Sequence, residues 1–169
     1  DGQGPISPNR AGDLCAYDVF NLMERGMSVD QIKKLCAGVG GLKDLTGTDD
    51  VRKIVGEMIP AGNKMAKLAY DAMIYTMVKW VGMMAGVLKG KVDAILLTGG
   101  LAYDKNLVNQ ITKDCSWIAQ IYVYPGSYET EALAAGAERV LRGEEGAKTY
   151  TGKPVWTGFG FEAWEGKGI

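Results

Sequence analysis

The sequence predicts an α/β fold that is rich in helices and contains a short parallel pair of β-strands. An apolar run at residues 94–97 stops at Gly99-Gly100, and a helix-like segment follows it. The same order recurs when a strand-like segment at residues 118–124 ends at Pro125-Gly126 before another helical segment. This β-α-β-α order indicates two parallel strands joined by a right-handed crossover.

Composition excludes several classes of partner and of chemistry. The 169 residues carry 19 basic and 20 acidic side chains, so neither nucleic acid nor an anionic membrane is an expected partner. The absence of histidine excludes Ser-His-Asp triads and His-ligated zinc. The three widely spaced cysteines (Cys15, Cys36 and Cys115) argue against a disulfide framework, and they predict a reducing, cytoplasmic location.

The first 60 residues are predicted to form a loop and three helices. Glycine and proline keep residues 1–13 from forming a helix. The helices are expected over residues 14–25, over residues 29–35 and from about residue 49 to residue 58, with a glycine-rich connection at 38–41. Ser28 is the expected cap of the second helix, and Thr48 or Asp49 that of the third.

The longest predicted helix runs over residues 61–88, behind Pro60. Its apolar residues follow helical spacing and predict one buried stripe. Gly82 and Gly86 indicate close packing against a neighbouring element. The stripe consists of Met65, Leu68, Ala69, Ala72, Met73, Thr76, Met77 and Trp80.

Beyond Gly90 the pattern changes to strands and shorter helices. Strands are predicted over residues 92–97 and 118–124, with helices over residues 104–113 and 128–142. Ser127 is the expected cap of the last helix. Residues 143–169 lose periodicity and predict a glycine- and aromatic-rich tail lying over a surface.

The glycine pair after the first strand is a candidate nucleotide site. Ligands of open α/β sheets bind beyond the carboxyl ends of the strands, and glycine allows a flat or charged group to lie against bare backbone. The alternative is a purely structural strand-to-helix connection. The proposed floor consists of Thr98, Gly99, Gly100, Leu101 and Ala102.

Three other positions carry candidate chemistry. In the segment 49–52, the carboxylate of Asp49 or Asp50 can accept a hydrogen bond from a ribose hydroxyl or an exocyclic amine, and the guanidinium of Arg52 can stack on a purine ring. Arg10, in a loop bounded by glycine and proline, suits a phosphoryl group. Glu129 and Glu131 could hold a metal-bound water network or orient a substrate. The alternatives are helix-terminal charges and exposed loop residues without a function.

Five segments taken in order resemble the butyrate kinases and their relatives, the acetate kinases, in the actin-like ATPase superfamily. The segments are residues 4–13, 45–52, 89–103, 123–134 and 139–145. The resemblance implies a ribonuclease H-like fold and a phosphotransferase that converts butanoate and ATP into butanoyl phosphate and ADP with Mg²⁺. It equally allows acetate, propanoate or branched-chain carboxylates as substrates, or a non-catalytic nucleotide-binding module.

The resemblance also implies roles for individual residues. Arg10 matches the arginine that stabilises the transferring phosphoryl group, and Glu129 matches a glutamate of the magnesium network that acts through water. Asp50 and Arg52 match residues that contact the adenosine. The glycine pair, with its neighbours from Thr98 to Ala102, matches the residues that line the nucleotide.

Chains of this family are much longer, so the sequence is expected to represent a C-terminal portion. Residues 1–150 would be the C-terminal part of the second domain and residues 151–169 a tail, with the N-terminal domain absent. Such a portion is expected to be inactive alone. It is also expected to form a homodimer through this half, or to pair with the missing N-terminal part.

Overall fold

A computed structural model describes residues 3–152, and the chain divides into two compact units, Asp1–Ser127 and Tyr128–Ile169. The predicted tail at 151–169 lies almost entirely outside the described residues. Every helix among these residues is too short or too polar to span a membrane. The elements are α1 (Ala16–Glu24), α2 (Val29–Cys36), α3 (Leu42–Thr46), α4 (Val51–Lys53), α5 (Lys64–Val87), β1 (Ile95–Gly99), α6 (Lys105–Cys115), β2 (Ile121–Pro125) and α7 (Glu129–Leu141).

The two strands pair in parallel, which confirms the predicted α/β class. The register runs from Ile95 opposite Ile121 to Gly99 opposite Pro125. A 3₁₀ turn (Gly100–Tyr103) and helix α6 form the crossover between them. Strand β2 starts three residues later than predicted, because Ile118 still belongs to the turn after α6 and donates its N–H to the Cys115 carbonyl at 2.9 Å.

Helix α5 forms the centre of the first unit and packs against α3 and α6. Asn63 caps it by accepting from the Ala66 N–H at 3.0 Å. The predicted stripe is only partly correct, since Met65 and Leu68 are 50% and 63% exposed. Among residues 3–152, no neighbouring element packs closely on Gly82 or Gly86, because no other atom lies within 4 Å of a Cβ built at either position. The buried residues of α5 are Ala66, Ala69, Tyr70, Met73, Ile74 and Ala85.

A buried tyrosine connects α5 to the start of α6. The Tyr70 hydroxyl, with its residue 1% exposed, donates to Asp104 Oδ2 at 2.6 Å and accepts from Asn106 Nδ2 at 3.3 Å. The other oxygen of Asp104 accepts from the N–H groups of Asn106 and Leu107 and caps α6. Burial, followed by the bond to Asp104, raises the pKa of Tyr70 far above its usual value.

The segment 42–58 differs from the sequence prediction. Helix α3 was not predicted; it begins with Leu42, which is fully buried, after Gly41 at φ 67°. Asp50, rather than Thr48 or Asp49, caps α4 by accepting from the Arg52 N–H at 3.0 Å. The helix then widens into a π turn at Ile54–Met58.

Two further helix caps were predicted, Ser28 for α2 and Ser127 for α7, and the structure confirms the first but not the second. Ser28 caps α2 as predicted: its Oγ accepts from the Gln31 N–H at 3.3 Å, and Gln31 Oε1 accepts from the Ser28 N–H at 2.8 Å. Ser127 does not cap α7, whose N-cap position is Tyr128. Within the second unit, Arg139 pairs with Glu145 at 3.2 Å.

We expect Gly41→Ala to destabilise the first unit much more than Gly47→Ala. Both glycines have positive φ, but a Cβ at Gly41 would lie 2.1 Å from the Ser7 carbonyl oxygen and 2.5 Å from that of Arg10. In the described part of the chain no atom lies within 4 Å of a Cβ at Gly47, so only backbone strain of about 1 kcal/mol remains there. The overlap at Gly41 should cost about 2 kcal/mol more. Equal unfolding free energies of the two variants in urea would contradict the fold of this segment.

Tyr70→Phe should lower the free energy of unfolding by about 2 kcal/mol, because it removes a buried hydrogen bond to a carboxylate. Tyr75→Phe on the 70% exposed side of α5 is the matched control and should have no effect. Since the folded pKa of Tyr70 is raised, its contribution is complete below pH ~10 and declines above that value. The difference between wild type and Tyr70→Phe should therefore narrow in urea titrations at alkaline pH, and a difference that widens there would contradict the assignment.

Candidate functional site

A cavity of about 1010 Å³ opens in the first unit where the chain leaves β1. This volume suits a small-molecule or cofactor site. One wall consists of α4 and the π turn, and the other consists of the 3₁₀ turn with the start of α6. The lining residues are Pro8, Asp49, Asp50, Val51, Arg52, Val55, Gly56, Gly100, Leu101, Tyr103, Asp104 and Lys105.

Two glycines give the cavity its width. A Cβ built at Gly56, in the π turn, or at Gly100, in the 3₁₀ turn, would meet no atom of the described residues within 4 Å. The backbone at both positions is therefore open to a ligand, and a π turn within a helix is frequent at functional sites. Val51, Val55 and Leu101 supply apolar surface between them.

Asp50 and Arg52 form a bidentate ion pair at the wall of the cavity. Arg52 Nε donates to Asp50 Oδ1 at 2.9 Å, and Arg52 Nη2 donates to Oδ2 at 2.8 Å. These hydrogen bonds lower the pKa of Asp50 to about 2. The Arg52 side chain is 92% exposed, so its planar face is accessible to an aromatic ring.

The other charged groups of the cavity differ in their partners. Asp49 Oδ2 lies 3.1 Å from Lys43 Nζ, and this hydrogen bond lowers the pKa of Asp49. Lys105, the exposed first residue of α6, makes no ion pair or side-chain hydrogen bond among residues 3–152. The cavity thus combines apolar surface, bare backbone, paired carboxylates and one unpaired cation.

The cavity unites some of the predicted site residues but not all of them. Asp50, Arg52, Gly100 and Leu101 line it. The other three predicted floor residues do not: Thr98 is exposed within β1, Gly99 bonds to Gly126 through both its N–H and its carbonyl at 3.0 Å, and Ala102 is buried. Gly99 has φ 80°, which turns the chain out of the strand toward the cavity.

Two further predicted residues lie outside the cavity lining. Arg10 is exposed, two residues beyond Pro8, which does line the cavity. Glu129 is the exposed first residue of α7 in the second unit. In the part of the chain that the structure describes, no cluster of three or more Asp, Glu or Cys side chains could hold a metal ion directly.

Sequence reasoning missed Val55, Gly56, Tyr103, Asp104 and Lys105 as lining residues. The isolated glycine at 56, inside a predicted helix, was a usable signal because glycine in a helix interior has an energetic cost and often has a packing or functional reason. The π turn that brings this segment to the cavity begins at Ile54, which is fully buried in the core of the first unit. No local pattern indicates it.

Solved structures define the class of fold. The chain superposes on an acetate kinase from Porphyromonas gingivalis with a TM-score of 0.74 and 23% identity, covering 82% of this chain and 41% of that one. An acetate kinase from Entamoeba histolytica gives a TM-score of 0.69 at 18% identity, covering 81% and 42%. A propionate kinase from Francisella tularensis gives 0.65 at 20%, covering 74% and 38%. The fold is therefore that of part of an acetate kinase-like protein.

Sequence comparison gives the family. Residues 3–122 match the acetokinase family, and the chain belongs to it. It is 47% identical over 148 residues to "Probable butyrate kinase 2" of Caldanaerobacter subterraneus subsp. tengcongensis, covering 87% of this chain. It is 43% identical over 152 residues to "Probable butyrate kinase" of Enterococcus faecalis, covering 89%. The aligned part spans 42% of the length of either relative. These findings confirm the resemblance stated from the sequence.

Arg52→Gln should raise the pKa of Asp50 from about 2 toward its ordinary value, because the guanidinium is the main cause of the shift. With a lowered folded pKa, the ion pair stabilises the fold above pH ~4, and this stabilisation is lost as the pH falls toward 2. Carbon-detected NMR titration of the Asp50 carboxyl group measures the shift. Lys53→Gln is the control and should leave the pKa low; an unchanged pKa in Arg52→Gln would contradict the assignment.

Proposed function

We propose that this chain forms the nucleotide-binding part of a short-chain carboxylate kinase that converts butanoate and ATP into butanoyl phosphate and ADP, reversibly. One observation carries the proposal. Two segments that lie far apart in the sequence, Asp50–Arg52 and Gly100–Leu101, line the same cavity. The similarity to two probable butyrate kinases supports butanoate as the acceptor. We also propose that residues 1–150 belong to the second domain of such a kinase.

The cavity fits the adenosine part of ATP or ADP. The exposed guanidinium of Arg52 would stack on the purine while Asp50 holds it in plane. An oxygen of Asp50 has lone pairs left for a ribose hydroxyl or an exocyclic amine. Gly100 and Leu101 would form the floor, and Thr98, Gly99 and Ala102 would hold the turn that presents them.

Phosphoryl transfer needs positioning and charge neutralisation, which accords with a chain that has no histidine. Arg10 would stabilise the negative charge on the transferring group as the carboxylate oxygen bonds to the γ-phosphorus and the bond to ADP breaks. Glu129 would orient water around Mg²⁺. The ion, when bound, neutralises charge on the phosphates.

Further proposals concern acceptors, partners and location. Propanoate or acetate is the alternative acceptor, supported by the fold shared with a propionate kinase and acetate kinases. The exposed apolar residues Met65, Leu68 and Tyr75 on α5 support association with a second copy. The free cysteines support a reducing, cytoplasmic location.

A non-catalytic nucleotide-binding module is the second candidate function. It is favoured by the lining of the cavity, which includes the predicted adenosine contacts Asp50 and Arg52 but neither Arg10 nor Glu129. We propose that the chain alone binds ADP without turnover. Trapping of butanoyl phosphate as its hydroxamate, with the chain as the only protein, would disprove inactivity and exclude the module.

Gly56→Ala should weaken ADP binding about tenfold, because a methyl group in the cavity would cost ~1.4 kcal/mol against the ligand. Gly82→Ala is the matched control, since it also adds a methyl group to an open helical site but lies far along α5 from the lining residues. Both variants should unfold at equal or higher temperature than the wild type, as Ala favours helix. Calorimetric titration with ADP measures the affinity. No ADP binding by the wild type, or equal affinity in both variants, would refute the proposed site.

A further inference from the structure

The loop that carries Arg10, residues 4–13 (the Arg10 loop), is closed on itself by hydrogen bonds. Asp13 donates its N–H to the Gly4 carbonyl at 3.1 Å, and Asp13 Oδ1 accepts from the Gly4 N–H at 3.0 Å. Within the loop, the Ser7 N–H donates to the Arg10 carbonyl at 3.1 Å. Gly12, at φ 81°, approaches so closely that a Cβ would lie 2.8 Å from the Ile6 nitrogen.

Two side chains of α5 attach this loop to the core helix. Thr76 Oγ1 accepts from the Ile6 N–H at 3.0 Å and donates to the Met73 carbonyl at 2.9 Å. Trp80 Nε1 donates to Asp13 Oδ2 at 3.0 Å. Because Thr76 and Trp80 are four residues apart, they lie on one face of the helix and bond to the loop at two points.

The segment before α3 holds the loop from another side. The Gly38 N–H donates to the Asn9 carbonyl at 2.8 Å, and the N–H groups of Leu42 and Lys43 donate to the carbonyls of Ser7 and Pro8 at 3.2 and 2.9 Å. In contrast to this bonded backbone, the Arg10 side chain is exposed. Within residues 3–152 its guanidinium makes no ion pair or hydrogen bond.

We propose that Thr76 and Trp80 are positioning residues for Arg10: by fixing the loop to α5, they hold the Arg10 backbone in the place from which its unpaired guanidinium reaches a phosphoryl group. Ordering a loop on binding costs conformational entropy, so a loop that is already ordered loses less binding free energy when an anion binds. The inference rests on the proposed function, because it uses the phosphoryl-binding role of Arg10 given there.

Thr76→Val and Thr76→Ser form the decisive pair of variants. Valine has nearly the same shape but leaves the Ile6 N–H without its acceptor, whereas serine keeps the hydroxyl. Trp80→Phe is the second, independent variant, and Met83→Leu on the 40% exposed side of α5 is the control. The readouts are hydrogen exchange of the Ile6 and Asp13 amides and the NMR shift of the Arg10 guanidinium during titration with inorganic phosphate.

Thr76→Val and Trp80→Phe should each speed amide exchange in the Arg10 loop and weaken phosphate binding at Arg10 about fivefold, as for a loss of ~1 kcal/mol. Thr76→Ser and Met83→Leu should match the wild type. If both Thr76→Val and Trp80→Phe bind phosphate as tightly as the wild type, the positioning role is overturned.

A separate titration with ADP tests the nucleotide cavity, so that the positioning role and the proposed nucleotide site can fail independently. An Arg10 guanidinium that does not respond to phosphate in the wild type, while ADP still binds, would overturn the positioning role and leave the cavity assignment intact. The reverse result, with no ADP binding but a phosphate response that Thr76→Val weakens, would support the positioning role and refute the proposed nucleotide site.

Discussion

The hydroxyl of Tyr70 and the carboxylate of Asp104 meet inside the first unit, and this contact joins its central helix α5 both to helix α6 and to the wall of the cavity. One oxygen of Asp104 accepts a hydrogen bond from the Tyr70 hydroxyl and the other caps α6, so a single side chain connects α5 to the start of α6. Asp104 also lines the cavity and ends the 3₁₀ turn that holds Gly100. Because the tyrosine is buried, losing the partner would leave an unsatisfied polar group in the core. The same contact therefore supports both the packing of the helices and one wall of the site.

The sequence predicted those elements of the fold that depend on a short-range pattern of residues, and it missed those that depend on contacts between distant residues. The Ser28 cap, the long helix behind Pro60 and the strand ending at the glycine pair all have short-range signatures, and the structure confirms them. Helix α3 has five residues between two glycines, and it exists because Leu42 is buried against α5. The prediction of the buried side of α5 was only partly correct, because the burial of this helix also depends on its neighbours. A helix with apolar residues on several faces does not specify the face that its neighbours cover.

The candidate site was predicted in part because two of its segments have recognisable composition. An acidic pair before an arginine and a glycine pair after a strand were visible in the sequence, and the structure brings members of both to one cavity. The exact lining was not visible. Whether Gly99 or Gly100 faces the cavity depends on the hydrogen bonds that hold Gly99 to Gly126, and these form only when β1 and β2 are paired. The support of Arg10 by Thr76 and Trp80 was equally hidden, since about 70 residues separate the partners.

The parallel pairing of β1 and β2 has a consequence for the order in which the chain folds. The strands can meet only after residues 100–120 have closed as a loop, and this closure costs entropy before any strand contact repays it. Helix α6 occupies half of that loop and needs only local contacts, so its early formation brings the strand ends closer together. We therefore expect the Asp104 cap to act as a kinetic element as well, nucleating the crossover so that the strand register is set late, around a helix that already exists.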